Sequence, residues 1–191
     1  MERTYKCLPN QELSHSQYML APIRDADKYT IMHWRNEQID ILRQKMVLTK
    51  QVQKIYFRDV VDKLFNQDRP NQLLFSFLEN DNLIGYGGLV HIDWENKNAE
   101  MSFLNATSRC VDEKLFESDF KGYLDIITPT AFKHLKFVKI HTTLYDIPER
   151  HLYKRIIQEY GFIKEARLKR HVIVDSKSYD VCIYSFFNAN L

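Results

Sequence analysis

Residues 72–105 read QLLFSFLENDNLIGYGGLVHIDWENKNAEMSFLN. Three apolar stretches alternate here with two clusters of turn residues. Gln72–Glu79 contains LLFSFL, the run of a buried strand. Asn80-Asp81-Asn82 follows, and Asn and Asp bond their own backbone and tolerate left-handed conformations. Leu83–Asp93 is a second strand, Glu95-Asn96-Lys97-Asn98 a second turn, and Ala99–Asn105 a third strand. Strands on turns this short pair antiparallel, so the stretch predicts a meander over 72–79, 83–93 and 98–106. Gly85, Gly87 and Gly88 put three of the chain's five glycines in the middle strand. Glycines inside a strand mark a bulge or a close approach by a ligand or backbone, with crowding by a helix as the alternative.

Upstream, residues 1–16 are polar and are expected as a surface extension. Tyr18–Ile23 is a short apolar strand, and Asp25 or Asp27 can cap a helix running to Glu37. A second helix is expected from Thr49, its N-cap, to Phe65, with Val52, Tyr56, Val60 and Leu64 at helical spacing. Asp68-Arg69-Pro70-Asn71 breaks it. Downstream, a helix is expected from about 117 to 134, and Pro129 should kink it or end a segment. Val138–Leu144 is the next strand. Pro148–Tyr160 is a helix with Pro near its start and Gly161 past its end. Phe162–Val174 and Ser178–Phe187 close as a hairpin around Asp175-Ser176-Lys177. The order β-α-α-β-β-β-α-β-α-β-β interleaves helices with strands, which predicts one α/β domain over 1–191, a mixed sheet covered by helices.

Length and composition agree: 191 residues, 45% hydrophobic and 27% charged, with twelve Phe and eleven Tyr, suit a single core of ordinary globular balance. A formal net charge of +2 gives no reason to expect nucleic acid or a membrane as partner. No apolar run approaches the roughly 20 residues of a membrane helix, and the N-terminus lacks the apolar centre of a signal peptide. Cys7, Cys110 and Cys182 are widely spaced, which suits a reducing compartment, and a cytoplasmic location is expected. Cys182 reads as a packed thiol. The histidines at 134, 141, 151 and 171 show no ligand spacing, so no metal is expected.

Several segments match a known pattern. Met32-His33-Trp34-Arg35-Asn36 holds a WRN signature in the first helix. Leu83-Ile84-Gly85-Tyr86-Gly87-Gly88-Leu89, then Ala99-Glu100-Met101-Ser102-Phe103, stand as two successive strands. Ala131-Phe132-Lys133-His134-Leu135 precedes Val138-Lys139-Ile140, and Glu159-Tyr160-Gly161-Phe162-Ile163-Lys164-Glu165 closes the last helix. In order and spacing these resemble the GNAT family of N-acetyltransferases, in particular its ribosomal-protein N-acetyltransferase-like branch, over residues 17 to 187. The resemblance implies the GNAT fold, acetyl-CoA as co-substrate and a primary amine as acceptor. In this branch acceptors include protein N-termini, polyamines and nucleotide-linked amino sugars. A small-molecule amine such as an amino sugar is favoured here, because no acidic groove for a basic peptide is visible. The chain is expected as monomer or homodimer.

The chain departs from the family pattern at its phosphate loop. The family's R/Q-x-x-G-x-G/A lets backbone N–H groups approach pyrophosphate at a helix N-terminus. Its two glycine positions fall here on Phe116 and Ser118, and Glu117 and Asp119 would repel phosphate. A second departure replaces N-x-x-S/A by Arg150-His151-Leu152-Tyr153, and the tyrosine that many relatives use as general acid is Ile157. These losses sustain an alternative, a GNAT-fold protein that binds a metabolite or partner without catalysis.

The resemblance places the pantetheine arm on Phe103-Leu104-Asn105 and the pyrophosphate near the N–H groups of 116–120, that is Phe116, Ser118, Asp119 and Phe120, with Arg150 as a further phosphate contact. Arg150 alternatively pairs with Glu149 or Asp146 in solvent. The acceptor side falls to Trp34, Arg35 and Asn36, with Tyr86 and Gly87 on the glycine strand; Trp34 serves equally as core. Acetyl transfer needs a base for the amine, a donor for the thioester oxygen and a proton for the leaving thiolate. Glu100 is a candidate relay base or an exposed carboxylate paired with a Lys or Arg. His91 titrates near neutrality and suits a base, or is a satisfied strand-end histidine. Tyr153 is a candidate acid for the thiolate, or an aromatic packed at the helix edge.

Overall fold

The computed structural model describes residues 3–189. Among these, one sheet holds eight strands: β1 (Leu13–His15), β2 (Tyr18–Pro22), β3 (Leu73–Glu79), β4 (Asn82–Asp93), β5 (Asn98–Asn105), β6 (Lys139–Tyr145), β7 (Ile163–Val174) and β8 (Lys177–Phe187). Their spatial order is β1-β2-β3-β4-β5-β6-β8-β7. Neighbours are antiparallel except β5 and β6, which run parallel. The helices are α1 (Lys28–Glu37), α2 (Lys50–Tyr56), α3 (Thr107–Cys110), α4 (Glu113–Pro129) and α5 (His151–Tyr160). The mixed α/β sheet and the element order expected from the sequence are present, with β1 and α3 as additions. No helix among the described residues is long and apolar enough to cross a membrane.

The N-terminal extension differs from the surface segment expected. Tyr5 is wholly buried against Phe65 and Phe75, and Leu8 and Leu13 also enter the core. The Tyr5 hydroxyl donates to the Leu74 carbonyl and accepts from the Leu74 N–H, both at 2.8 Å. β2 ends at Pro22, opposite Phe75, and the tyrosine satisfies β3 backbone next to that end. The ring supplies apolar area and its hydroxyl takes up the Leu74 N–H, while the Leu74 carbonyl also accepts from the Ile23 N–H at 2.9 Å, so a buried tyrosine is well placed here.

Asp27 does not cap α1 with its side chain. Its carboxylate instead takes a bidentate contact from Arg24 at 2.7 and 3.0 Å and the Ser76 hydroxyl at 2.6 Å. Thr49 does cap α2, its Oγ1 accepting from the Val52 N–H at 3.2 Å. The buried face of α2 is shifted by one residue from the expected stripe. Val52, Tyr56 and Val60 are exposed, whereas Gln53, Phe57, Val61 and Leu64 are buried. The helix continues through a π segment (Phe57–Val61) into a last turn (Asp62–Leu64), and apolar residues stand at both 56–57 and 60–61, so spacing alone does not choose between the faces.

α4 begins at Glu113, earlier than expected, and winding changes just after Pro129 into a π segment (Thr130–His134), as a residue without an N–H favours. α4 packs closely on the sheet: a Cβ on Gly122 would lie 2.2 Å from the Tyr18 ring, and Tyr123 donates its hydroxyl to the Ser102 carbonyl at 2.7 Å. Gly161 ends α5 at φ +112°, a left-handed conformation that favours glycine. Cys182 is buried in β8. β7 is the outer strand, exposed along most of its length, with ladder irregularities at Lys164/Ala166 and Leu168/Val172.

Candidate active site

β5 and β6 pair only through Asn98–Lys139, Ala99–Ile140 and Glu100–His141. Beyond Glu100 they part. Met101–Asn105 stay bonded to β4, and Thr142–Tyr145 to β8. A wedge therefore opens between the strands, with β5 backbone groups facing into it. Two cavities occupy the wedge. The inner one, about 260 Å³, lies over Glu100–Phe103 and Thr142–Tyr145 and reaches Arg35, Arg43 and His91. The outer one, about 390 Å³, lies over Phe103–Asn105 between Phe116 of α4 and Glu149–Tyr153. Phe103, Ile41, Arg150 and Tyr153 line both.

Glu100 sits where the strands part. Its side chain is 6% exposed. It accepts from Arg43 Nη2 at 2.5 Å, and His91 Nε2 lies 3.7 Å away. Of the two readings from the sequence, an exposed strand carboxylate does not describe Glu100. It is buried at the cavity floor, although it does have an arginine partner. His91 stands in the β4 bulge between Val90 and Asp93 at φ +50°. Left-handed backbone at a bulge is uncommon for a non-glycine residue and re-aims its side chain. Glu100 and His91 are thus brought together.

Tyr153 is 4% exposed, packs tilted against Phe120 at 4.3 Å between ring centroids, and carries the Arg150 guanidinium 5.1 Å above its ring. Burial pushes its hydroxyl pKa up, so it stays protonated. It is a packed aromatic and also forms a buried wall of both cavities. Arg150 donates from Nη2 to the Ile41 carbonyl at 2.8 Å, and its Nε is enclosed without a hydrogen-bond partner. The expected solvent pairing with Glu149 or Asp146 is not formed; Asp146 accepts from Lys154 and Arg167 instead.

The segment expected to cradle pyrophosphate is organised differently. The Asp112 side chain accepts from the N–H groups of Lys114 and Leu115, and the Phe116 N–H bonds the Asp112 carbonyl. The helix thus caps itself, and residues 116–120 lie inside it, where N–H groups bond carbonyls one turn back. Asp119 is fully buried and takes Arg109 Nε and Nη2, each at 2.6 Å, with Asn105 Nδ2 at 2.6 Å. Ser118 meets the Tyr18 hydroxyl at 3.0 Å, and Phe120 is core. Of the four, Phe116 alone lines a cavity. Cys110, on the same wall, has its thiol pKa pushed up to about 11 by burial.

On the other side, Arg35 donates to the Tyr86 hydroxyl and to Gln44. Arg35 faces the inner cavity, and both residues line a third, mostly apolar one under α1 and α2. Asn36 holds the loop after α1 through Leu48 and Gln44. Trp34 packs on the core. The glycines report crowding within the sheet. A Cβ on Gly87 would lie 2.3 Å from the Ser102 carbonyl, and one on Gly88, at φ +151°, 1.9 Å from that of Leu73. Neighbouring strands, and at Gly87 also the Tyr123 hydroxyl of α4, 2.7 Å from such a Cβ, leave a side chain no room at these positions.

This geometry, a mixed sheet wedged open at one parallel pair with a helix on either flank, defines an acetyltransferase fold. The chain belongs to the GNAT family: the family model described as an acetyltransferase (GNAT) domain matches residues 20–183. No curated protein sequence matches it. Solved structures match over most of their length. Spermidine N-acetyltransferase from Vibrio cholerae, in complex with CoA and spermine, superposes with a TM-score of 0.73 at 17% identity, covering 91% of this chain and 96% of that one. Ribosomal-protein-S5-alanine acetyltransferase from Vibrio fischeri gives 0.72 at 13%, covering 95% and 98%. A probable GNAT-family acetyltransferase from Chromobacterium violaceum gives 0.70 at 13%, covering 94% and 92%. At such identities the likeness is one of fold.

Proposed function

We propose that this protein is an N-acyltransferase that moves an acetyl group from acetyl-CoA to a primary amine, carried by a small molecule such as an amino sugar or by a protein N-terminus. The observation that carries the reading is the β5–β6 wedge with a buried carboxylate at its floor. Acetyl-CoA, when bound, supplies the thioester acetyl group. The edge Phe103-Leu104-Asn105, no longer paired with β6, fits its pantetheine arm, whose amides need backbone partners, although the Asn105 carbonyl already accepts from Gln38 Nε2. The self-capped start of α4 does not fit its pyrophosphate, so Phe116, Ser118, Asp119 and Phe120 are not proposed as phosphate ligands. Arg150 is the remaining cation on the outer wall.

Glu100 takes the amine proton, through water or directly, with His91 beside it as the exit to solvent. Tyr153, buried and protonated, can donate to a departing thiolate. Arg35 and Tyr86 border the amine's approach. The experiment is an acetyl-CoA titration followed by calorimetry and by thermal unfolding. Ligand at a hundred times its Kd should stabilise the fold by about 2.7 kcal/mol, and thiol release should follow addition of a suitable amine. A second reading, a GNAT-fold binding protein without catalysis, is favoured by the self-capped α4. Absence of any response to acetyl-CoA or longer acyl-CoAs at millimolar concentration selects it.

A further inference from the structure

Three arginines and one carboxylate line the inner cavity. Glu100 is already bonded to Arg43 and approached by His91. Arg35 and Arg150 make no ion pair among the described residues. Arg35 bonds neutral Gln44 and Tyr86, and Arg150 bonds a backbone carbonyl. A guanidinium has five N–H donors, so both retain unused donors, and Arg150 Nε has none to meet at all. The ionisable neighbours of Arg150 are Tyr153, Cys110 and Tyr145, with burial lowering its pKa. Half-buried cations without a direct ion pair are costly to hold, and a ligand anion would relieve that cost through charge-assisted, often bidentate, bonds, although Glu37, Asp40, Glu149 and Asp175 line the outer cavity that Arg150 also borders.

We propose that the acceptor amine of this protein carries an anionic group, a carboxylate or phosphate, which Arg35 and Arg150 hold on the amine side of the wedge. The inference rests on the acyltransferase reading and narrows its acceptor. A polyamine meets the opposite environment: its ammonium groups face arginines, and the single carboxylate is engaged. Spermidine is therefore the wrong kind of acceptor here, although a protein of this fold acts on it.

The test is thermal unfolding of the full chain with inorganic phosphate, spermidine and acetyl-CoA titrated separately, on the parent, Arg35→Gln, Arg35→Lys and Arg150→Gln. Phosphate should raise the midpoint of the parent, and spermidine should not. Arg35→Gln and Arg150→Gln should each weaken the phosphate response at least about tenfold, as expected for loss of a charge-assisted bond, and Arg35→Lys should weaken it less. No phosphate response, a spermidine response of equal size, or a phosphate response lost in Arg150→Gln yet intact in Arg35→Gln overturns the proposal. The last outcome assigns the anion to the donor's path. The parent's phosphate and spermidine titrations keep the test decisive even if Arg35→Gln does not fold. The acetyl-CoA titration separates the two levels. A response to acetyl-CoA without one to phosphate removes the anionic acceptor and leaves the acyltransferase, whereas a response to phosphate without one to acetyl-CoA removes the acyltransferase and leaves an anion site that is not an acceptor site.

Discussion

The inner and outer cavities share Phe103, Ile41, Arg150 and Tyr153 and differ in the sign of their charge. Arg35, Arg43 and Arg150 face one carboxylate in the inner cavity, whereas Glu37, Asp40, Glu149 and Asp175 face one arginine in the outer. A polyanionic donor tail would be served by positive charge outside, and a polyamine by negative charge inside; this wedge has the reverse of both. The contrast teaches that one backbone opening can be kept while the side chains around it are reassigned. The fold then predicts where chemistry happens better than it predicts what is bound.

The largest expected effect concerns the buried Arg109–Asp119 pair on α3 and α4. Asp119→Ala leaves Arg109, which also meets Glu79 at 3.1 Å, without its main buried partner. The loss should be about 3–5 kcal/mol in urea unfolding, the range for breaking a buried pair on one side. A loss below about 1 kcal/mol would mean that the pair does not hold α3 against α4. Next comes the inner floor. Glu100→Gln should lower kcat at least about tenfold, since a positioned base contributes typically 10²–10⁴-fold. The deficit should shrink as pH rises and the amine deprotonates unaided. A deficit constant across pH 6–9 would assign Glu100 to holding Arg43 rather than to proton transfer.

The donor tests the outer cavity. With no N–H cradle and four carboxylates nearby, acetyl-pantetheine should retain kcat/KM within about tenfold of acetyl-CoA, a difference of about 1.4 kcal/mol. A thousandfold preference for acetyl-CoA would locate phosphate recognition there after all. The smallest effect belongs to His141. Burial lowers its pKa from 6.5, against the opposing pull of Glu100. A histidine held neutral in the fold takes up protons more readily when unfolded. Its contribution is therefore present above the unfolded pKa near 6.5 and lost as pH falls toward the folded one. Unfolding free energy measured from pH 7 to 5 should fall less steeply in His141→Gln.

The meander was legible because Asn80-Asp81-Asn82 and Glu95-Asn96-Lys97-Asn98 carry their own turn chemistry, and Gly161 its own left-handed end. Local rules suffice at such places. The face of α2 was not legible, because Tyr56–Phe57 and Val60–Val61 offer apolar residues to both faces and a π segment shifts the winding. Asp27 looked like a cap, but its partners, Arg24 and Ser76, form a better-satisfied buried site than two helix N–H groups. In the wedge, Phe103–Asn105 were singled out by the family resemblance, which names the strand where the sheet opens. The charges were not: Arg43 lies 57 residues from Glu100 in the chain, and only the fold brings them together. Arg109 and the self-cap by Asp112 were missed for a simpler reason. Glycine loss signalled what the segment could not do, and the acidic, capped alternative had to be seen in three dimensions.

β7 has a neighbour on one side only. Unpaired backbone along a twelve-residue strand is an invitation to a second chain, because any extended peptide can dock there. Lys164, Arg167, Lys169 and Arg170 stand along this strand, and Arg170 adopts φ +50° where the ladder slips. A second copy laid against that edge would set arginines and lysines near their own kind and would find the hydrogen-bond spacing interrupted. The outermost strand therefore ends the sheet chemically as well as geometrically, and its charges and interrupted ladder make it a poor template for edge-to-edge pairing.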